Sequence, residues 1–185
     1  DGIRDSSVTG VQTCALPIFR RQAIAPGERF ALNDGLQAEL FIVPGKAPLY
    51  LEGDNPDTAS ESAANVGVEL SDGRARLLYV PGAAAVTPAL RQRMVRADAI
   101  LFDGTLFTDD EMIRTGTGAK TGRRMGHMPI ADADGSLAAL DGLSARRIFV
   151  HINNTNPILV DGSPERARVE AAGWEVAWDG MEIAL

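Results

Sequence analysis

The chain has 185 residues, 45% hydrophobic and 23% charged, with a net charge of −7 and a pI near 4.8. That length supports one domain with a real core, and the acidic balance argues against broad nucleic-acid binding, which needs a basic face. No apolar run approaches the roughly 20 residues of a membrane span, so membrane insertion is not expected.

Residues 1–18 show neither helical nor strand period. They open acidic and lack a continuous apolar core, unlike a secretory signal. The run resembles the translated read-through of a sequencing adaptor. On that reading it is a non-native, disordered tail, and the folded domain spans 19–185; the alternative is a disordered native tail. Cys14, the one cysteine, falls inside it. The remainder therefore has no disulfide and no thiolate ligand, in keeping with a reducing, cytoplasmic setting.

Glu28 to Val43 reads as a hairpin around Asn33-Asp34-Gly35. Leu49-Tyr50-Leu51 is a short strand candidate, and 52–62, with Pro56 and no period, reads as a loop. A second hairpin spans Asn65 to Val80 around Ser71-Asp72-Gly73, and its return arm Leu77-Leu78-Tyr79-Val80 is apolar throughout. Thr87-Pro88 predicts a helix start, with Leu90, Met94 and Ala97 turned inward. Ala99 to Phe102 is the next buried strand, so strand, helix and strand make a parallel crossover. The segment from Asp103 to Ile130 is too long for an ordinary connection. Gly135-Ser136 opens a short helix with Leu137, Leu140 and Leu143 inward. Ile148-Phe149-Val150 is a strand. Ser163-Pro164-Glu165 starts a helix that Gly173 stops. Trp174 to Trp178, Asp179-Gly180 and Met181 to Leu185 predict a closing hairpin. The pattern is α/β, a layered sheet covered by helices on one side and by more sheet on the other.

Three residues carry the chemistry. Asp103 ends a buried strand, where a carboxylate is a ligand, a base or an acceptor for backbone N–H groups. His151 follows another strand, where imidazole is a metal ligand, a proton shuttle or simply structural. Asn153, Asn154 and Asn156 follow it and can orient a ring, touch a substrate or form the turn. His127 lies in a Gly-rich loop with Lys120, Arg123 and Arg124, cations that suit a carboxylate or phosphate or simply face solvent. In an open α/β sheet such groups gather beyond the carboxyl ends of strands, so Asp103, His127 and His151 are expected to converge. Gly118-Ala119-Lys120-Thr121 is not a phosphate-binding loop, because its spacing and its context both fail.

Phe102-Asp103-Gly104-Thr105-Leu106-Phe107-Thr108-Asp109-Asp110-Glu111-Met112 and Thr121-Gly122-Arg123-Arg124-Met125-Gly126-His127-Met128 resemble the family of B proteins of pyrroloquinoline quinone (PQQ) biosynthesis. So do His151-Ile152-Asn153-Asn154-Thr155-Asn156-Pro157, Ser163-Pro164-Glu165-Arg166, and the C-terminal strings Glu170 to Val176 and Asp179 to Ile183. The resemblance spans 19–185 and is dense from Tyr79 onward. It implies the C-terminal part of a metallo-β-lactamase-like four-layer αββα sandwich. It also implies His151 as a metal ligand, His127 and Asp103 as catalytic groups, and Lys120, Arg123, Arg124, Asn153 and Asn154 as substrate-binding groups. Gly82-Ala83 departs from the pattern, since many relatives carry a bridging aspartate after the glycine.

The implied function is PQQ biosynthesis through iron-dependent hydroxylation of the tyrosine ring of a peptide-derived Glu-Tyr precursor. The alternatives are a carrier of PQQ or its precursor toward the periplasm, or a metal-dependent hydrolase. Fe2+ is the expected cofactor and zinc the alternative; the expected partners are the precursor and other proteins of the pathway. The family's N-terminal metal motif has no counterpart in this chain. By itself the chain is therefore expected to be inactive and to bind metal weakly. It should also expose an inner apolar face, with Leu77, Tyr79, Leu101, Phe149 and Trp174 as candidates.

Overall fold

The computed structural model describes residues 22–45 and 65–185. The adaptor-like tail, the strand expected at 49–51 and the loop expected at 52–62 lie outside those residues. The first hairpin forms from β1 (Arg29–Asn33) and β2 (Leu36–Ile42). Gly35 takes φ +97° in its two-residue turn, a conformation that costs glycine nothing. The second forms from β3 (Val66–Ser71) and β4 (Arg76–Val80).

From β4 onward the neighbours are parallel. Helix α1 (Pro88–Met94) connects β4 to β5 (Ala99–Asp103). Its N-cap Thr87 accepts from the Leu90 N–H, and Pro88 fills the first position where no N–H is needed. The long segment after β5 carries three one-turn helices, α2 (Glu111–Arg114), α3 (Gly122–Met125) and α4 (Ser136–Ala139), before β6 (Arg146–Val150). A 3-10 turn at Pro157–Leu159 and helix α5 (Pro164–Ala171), capped by Ser163, lead to β7 (Trp174–Val176). The result is a seven-stranded sheet in sequence order, β1 to β4 antiparallel and β4 to β7 parallel.

Register and alternation separate two faces. Leu78, Val80, Ile100, Phe102, Phe149, Trp174 and Val176 share one core with Leu90 and Met94 of α1, Leu140 at the end of α4 and Val169 of α5. Phe149 stacks on Trp174 at 4.0 Å between centroids. Burying an aromatic or leucine side chain this fully contributes about 1.5–3 kcal/mol each. The opposite face carries Leu40, Val68, Leu70, Leu77, Tyr79, Leu101 and Ile148 in register.

That second face is the partly open one: Tyr79 is 40% exposed, while Leu77 and Leu101 are half-buried. Phe149 and Trp174 do not belong to it, contrary to expectation; they are buried under the helices. Residue parity decides this, because Phe149 pairs with Phe102, not with Leu101. The expected closing hairpin is also corrected. β7 joins the sheet parallel to β6, and Met181 to Leu185 form no strand although Asp179-Gly180 does turn the chain. Trp174 to Val176 is drawn to the free edge of β6, where it buries its indole. Ile183 and Leu185 instead line a depression with Leu36, Leu70 and Leu77 on the open face.

Candidate metal centre

Asp103 is the last residue of β5 and is fully buried. Its carboxylate is the hub of the site. Oδ2 accepts from the Ala83 N–H at 2.9 Å and from His127 Nδ1 at 2.7 Å. Oδ1 accepts from the Thr105 N–H at 3.1 Å and from its hydroxyl at 2.6 Å. Gly104 lets the chain double back so tightly: a Cβ there would stand 2.9 Å from the Phe149 Cβ and 3.1 Å from the Val150 carbonyl oxygen. Gly82-Ala83 lies beyond β4, and there the backbone N–H, in place of a side chain, meets this carboxylate.

His127 follows α3, whose Thr121 cap and left-handed Gly126 end the helix after one turn. His151 follows β6 and takes φ +54°, a sparsely populated conformation for a residue with a Cβ. Its loop is tied down at both ends. The Gly104 N–H donates to the Val150 carbonyl at 2.8 Å, and the Asn153 N–H to the Thr105 carbonyl at 3.1 Å. The two imidazoles stack with centroids 5.2 Å apart and 23° between planes. His151 Nδ1 is 2.8 Å from Thr105 Oγ1 and 3.9 Å from Asp103 Oδ1.

The contact distances favour one tautomer of each ring. Thr105 has one hydroxyl hydrogen, and Asp103 Oδ1 at 2.6 Å is a shorter acceptor for it than the His151 carbonyl at 3.0 Å. Its oxygen then accepts from His151 Nδ1–H, while His127 Nδ1–H donates to the carboxylate. Each ring thus keeps Nε2 unprotonated on the side away from the carboxylate. A histidine that ligates through one nitrogen and donates from the other to a carboxylate is the usual supported metal ligand.

Burial pushes the Asp103 carboxyl upward, but hydrogen bonds from His127 and Thr105, with the electrostatic attraction of the nearby His127 and His151 imidazoles, hold it below the usual carboxylate range. Interaction with that carboxylate raises the His151 imidazole above its ordinary value against the opposing effect of partial burial. Asp103, His127 and His151 each offer an atom within 4.8 Å of the others; with both carboxylate oxygens already accepting hydrogen bonds, the imidazole Nε2 atoms are the donors left for an ion. This donor set, two imidazoles on a buried anion, fits a borderline divalent metal such as zinc or iron.

The expected convergence of Asp103, His127 and His151 is therefore present in the fold. The other candidates stand apart from it. Arg123 Nη2 pairs with Asp134 at 2.6 Å. Asn153 Nδ2 donates to Thr155 Oγ1 at 2.7 Å. Lys120, Arg124 and Asn154 are exposed. Sequence reasoning missed Thr105, although Asp-Gly-Thr at a strand end signals a hydroxyl folded back onto the carboxylate.

A profile described as "Beta-lactamase superfamily domain" matches residues 4–152. The chain belongs to the β-lactamase superfamily. Within this superfamily it is 55% identical over 165 residues to the coenzyme PQQ synthesis protein B of Ruegeria pomeroyi, covering 89% of this chain and 56% of that protein. It is 58% identical over 169 residues to the protein of that name from Rhizobium meliloti, covering 91% and 55%. The crystal structure of Zn2+-bound PqqB from Methylobacterium extorquens superposes with a TM-score of 0.88 at 47% identity, covering 97% of this chain and 62% of that one. These matches bear out the resemblance read from the sequence. A metallo-β-lactamase fold protein, YhfI of Bacillus subtilis, shares the fold at a TM-score of 0.56 and 12% identity. The chain spans little more than half the length of its curated relatives.

Proposed function

We propose that this chain is part of a protein of PQQ biosynthesis whose centre at Asp103, His127 and His151 holds a divalent metal. One observation carries the reading: both imidazoles turn Nδ1 toward a buried carboxylate and its threonine, which leaves the His151 Nε2 for an ion and the His127 Nε2 unprotonated beside it. The Zn2+-bound PqqB of Methylobacterium extorquens, which shares this fold, supports a metal-binding reading. His151 would hold the ion through Nε2, and His127 would stand beside it. The functional metal in this reading is Fe2+, which when bound supplies dioxygen-dependent oxidation for hydroxylation of a tyrosine ring.

The chain's own residues supply the rest. Asp103 keeps His127 in one tautomer, so its Nε2 can accept a proton from a phenol or a water. Lys120 and Arg124 would draw the carboxylates of a peptide-derived Glu-Tyr precursor toward the centre. Arg123 would join them on leaving Asp134, and Asn153 and Asn154 would line the same approach. No helix among the described residues is long and apolar enough to cross a membrane, and a cytoplasmic setting suits a centre without disulfides.

The test is Fe2+ and Zn2+ titration of this chain and of a version extended to the relatives' full length, with turnover of a Glu-Tyr precursor followed under oxygen. The reading expects tight metal binding and ring hydroxylation in the extended protein and weak binding in the short one. Tight metal binding with precursor retained unchanged would favour a carrier, and no metal binding in either would end the proposal.

A further inference from the structure

Glu111 is a fully buried carboxylate that the chemistry above does not use. It opens α2, and its two oxygens face two different segments. Oε2 accepts from the Phe107 N–H at 2.7 Å; Oε1 accepts from Thr155 Oγ1 at 2.6 Å. Thr155 belongs to the loop that begins at His151. Its hydroxyl in turn accepts from Asn153 Nδ2 at 2.7 Å, and Asn153 Nδ2 also touches Met112 Sδ at 3.1 Å. The next residue, Asn156, is 1% exposed and donates from Nδ2 to the Gly104 carbonyl at 2.8 Å.

These bonds join the loop after β5 to the loop after β6. Asp103 and Thr105 sit at one end of the first loop, and His151 at the start of the second. His151 has φ +54°, so its backbone stays there only while its surroundings hold it. Side chains close to the ring already fix it from one side, through Thr105. Beyond Ile152, which packs against the core, the far end of its loop is held by hydrogen bonds of Asn153, Thr155 and Asn156. A buried carboxylate is a costly way to anchor a turn unless the placement matters.

We infer that Glu111 and Thr155 form a buried latch that positions the His151 imidazole, acting through the loop and not on substrate or metal. The inference rests on the proposed role of His151 in holding a metal, and its test separates the two. In the full chain, Thr155→Val removes the hydroxyl at nearly constant shape, and Thr155→Ser restores it. Thr155→Ala carries the same expectation if valine is not accommodated.

Two readouts are taken. The first is the imidazole 15N spectrum of the metal-free protein above the titration range of histidine. The wild type is expected to show His151 as a single Nδ1–H tautomer, Thr155→Val a mixture of tautomers, and Thr155→Ser the wild-type signature. A loss of stability alone would not change the tautomer of a ring several residues away. The second is zinc affinity by chelator competition, expected to fall ten- to hundredfold in Thr155→Val, the range for losing an outer support of a ligand, and to stay within about threefold in Thr155→Ser.

A single unchanged tautomer in Thr155→Val would overturn the latch, as would a serine variant that falls as far as the valine one. His151→Ala is the control for the underlying reading. If it binds zinc like the wild type, the ligand role fails, and the latch is then decided by the tautomer alone.

Discussion

Two buried carboxylate clusters occupy the two halves of this sheet, and their partners set them apart. In the antiparallel half, Glu39 and Glu69 are bridged by Arg93 at 2.7 and 2.6 Å, with Arg29 on Glu39 and Arg76 near Glu69. In the parallel half, Asp103 meets two imidazoles, a hydroxyl and two backbone N–H groups. Guanidinium stays charged at any working pH, so the first cluster is a fixed tie between α1 and the hairpins. Imidazole gains and loses its proton near neutrality, so the second cluster can exchange protons and ligands. The difference follows topology. Parallel strands send their carboxyl ends to one edge, where loops from separate crossovers meet; a meander returns each strand to the opposite edge.

The sharpest break is Asp103→Ala. It strands the N–H groups of Ala83 and Thr105 and releases both histidines. We expect a loss of roughly 3–5 kcal/mol, as for breaking a buried pair, in urea unfolding, together with loss of zinc binding. Arg93→Met attacks the other cluster. The expected loss is roughly 3 kcal/mol, the low end for a broken buried pair, because Arg29 and Arg76 remain. Zinc affinity and the His151 tautomer should not move. If they did, the two halves would be coupled and the contrast would fail.

The pH response separates the halves further. Asp103 has a lowered value in the fold, so its contribution is complete above the ordinary carboxylate range and is lost as pH falls through that lowered value. His151 has a raised value, so its contribution is complete below the ordinary imidazole range and is lost as pH rises through the raised one. Metal binding runs the other way, since a ligand imidazole must be neutral. On acidification zinc affinity should begin to fall at a higher pH than a free imidazole would give, and His151→Gln should remove that step. Melting temperature followed down to about pH 2, and zinc affinity and melting temperature up to about pH 9, would check both signs, since those bounds lie well below the ordinary carboxylate value and well above the ordinary imidazole value. A His151 step at or below the free-imidazole position would contradict the geometry.

The smallest effect is expected from Lys120→Ala combined with Arg124→Ala. Both side chains are exposed, so stability should change by no more than about 0.5 kcal/mol. Binding of a dicarboxylate peptide should nevertheless weaken in fluorescence titration. Unchanged peptide binding would remove these cations from the proposed substrate approach.

The local elements were largely legible in the sequence. Both hairpins, the Thr87-Pro88 and Ser163-Pro164 helix starts and the buried strands ending at Asp103 and Val150 follow from turn residues, caps and period. These are short-range effects that a few neighbouring residues settle. Strand ends likewise pointed to Asp103 and His151. Tertiary structure decided which face each strand residue took, so Phe149 and Trp174 went under the helices and not onto the open face. It also decided that Trp174 to Val176 joins β6 and leaves Met181 to Leu185 unpaired, because a free sheet edge competes with a local hairpin. Above all it decided who bonds to whom around Asp103: the Ala83 N–H, Thr105, His127 and, across the loop after β6, the Glu111–Thr155 contact. Those partners lie up to 44 residues apart in the chain, and only the packing of crossovers over the sheet brings them within hydrogen-bond reach.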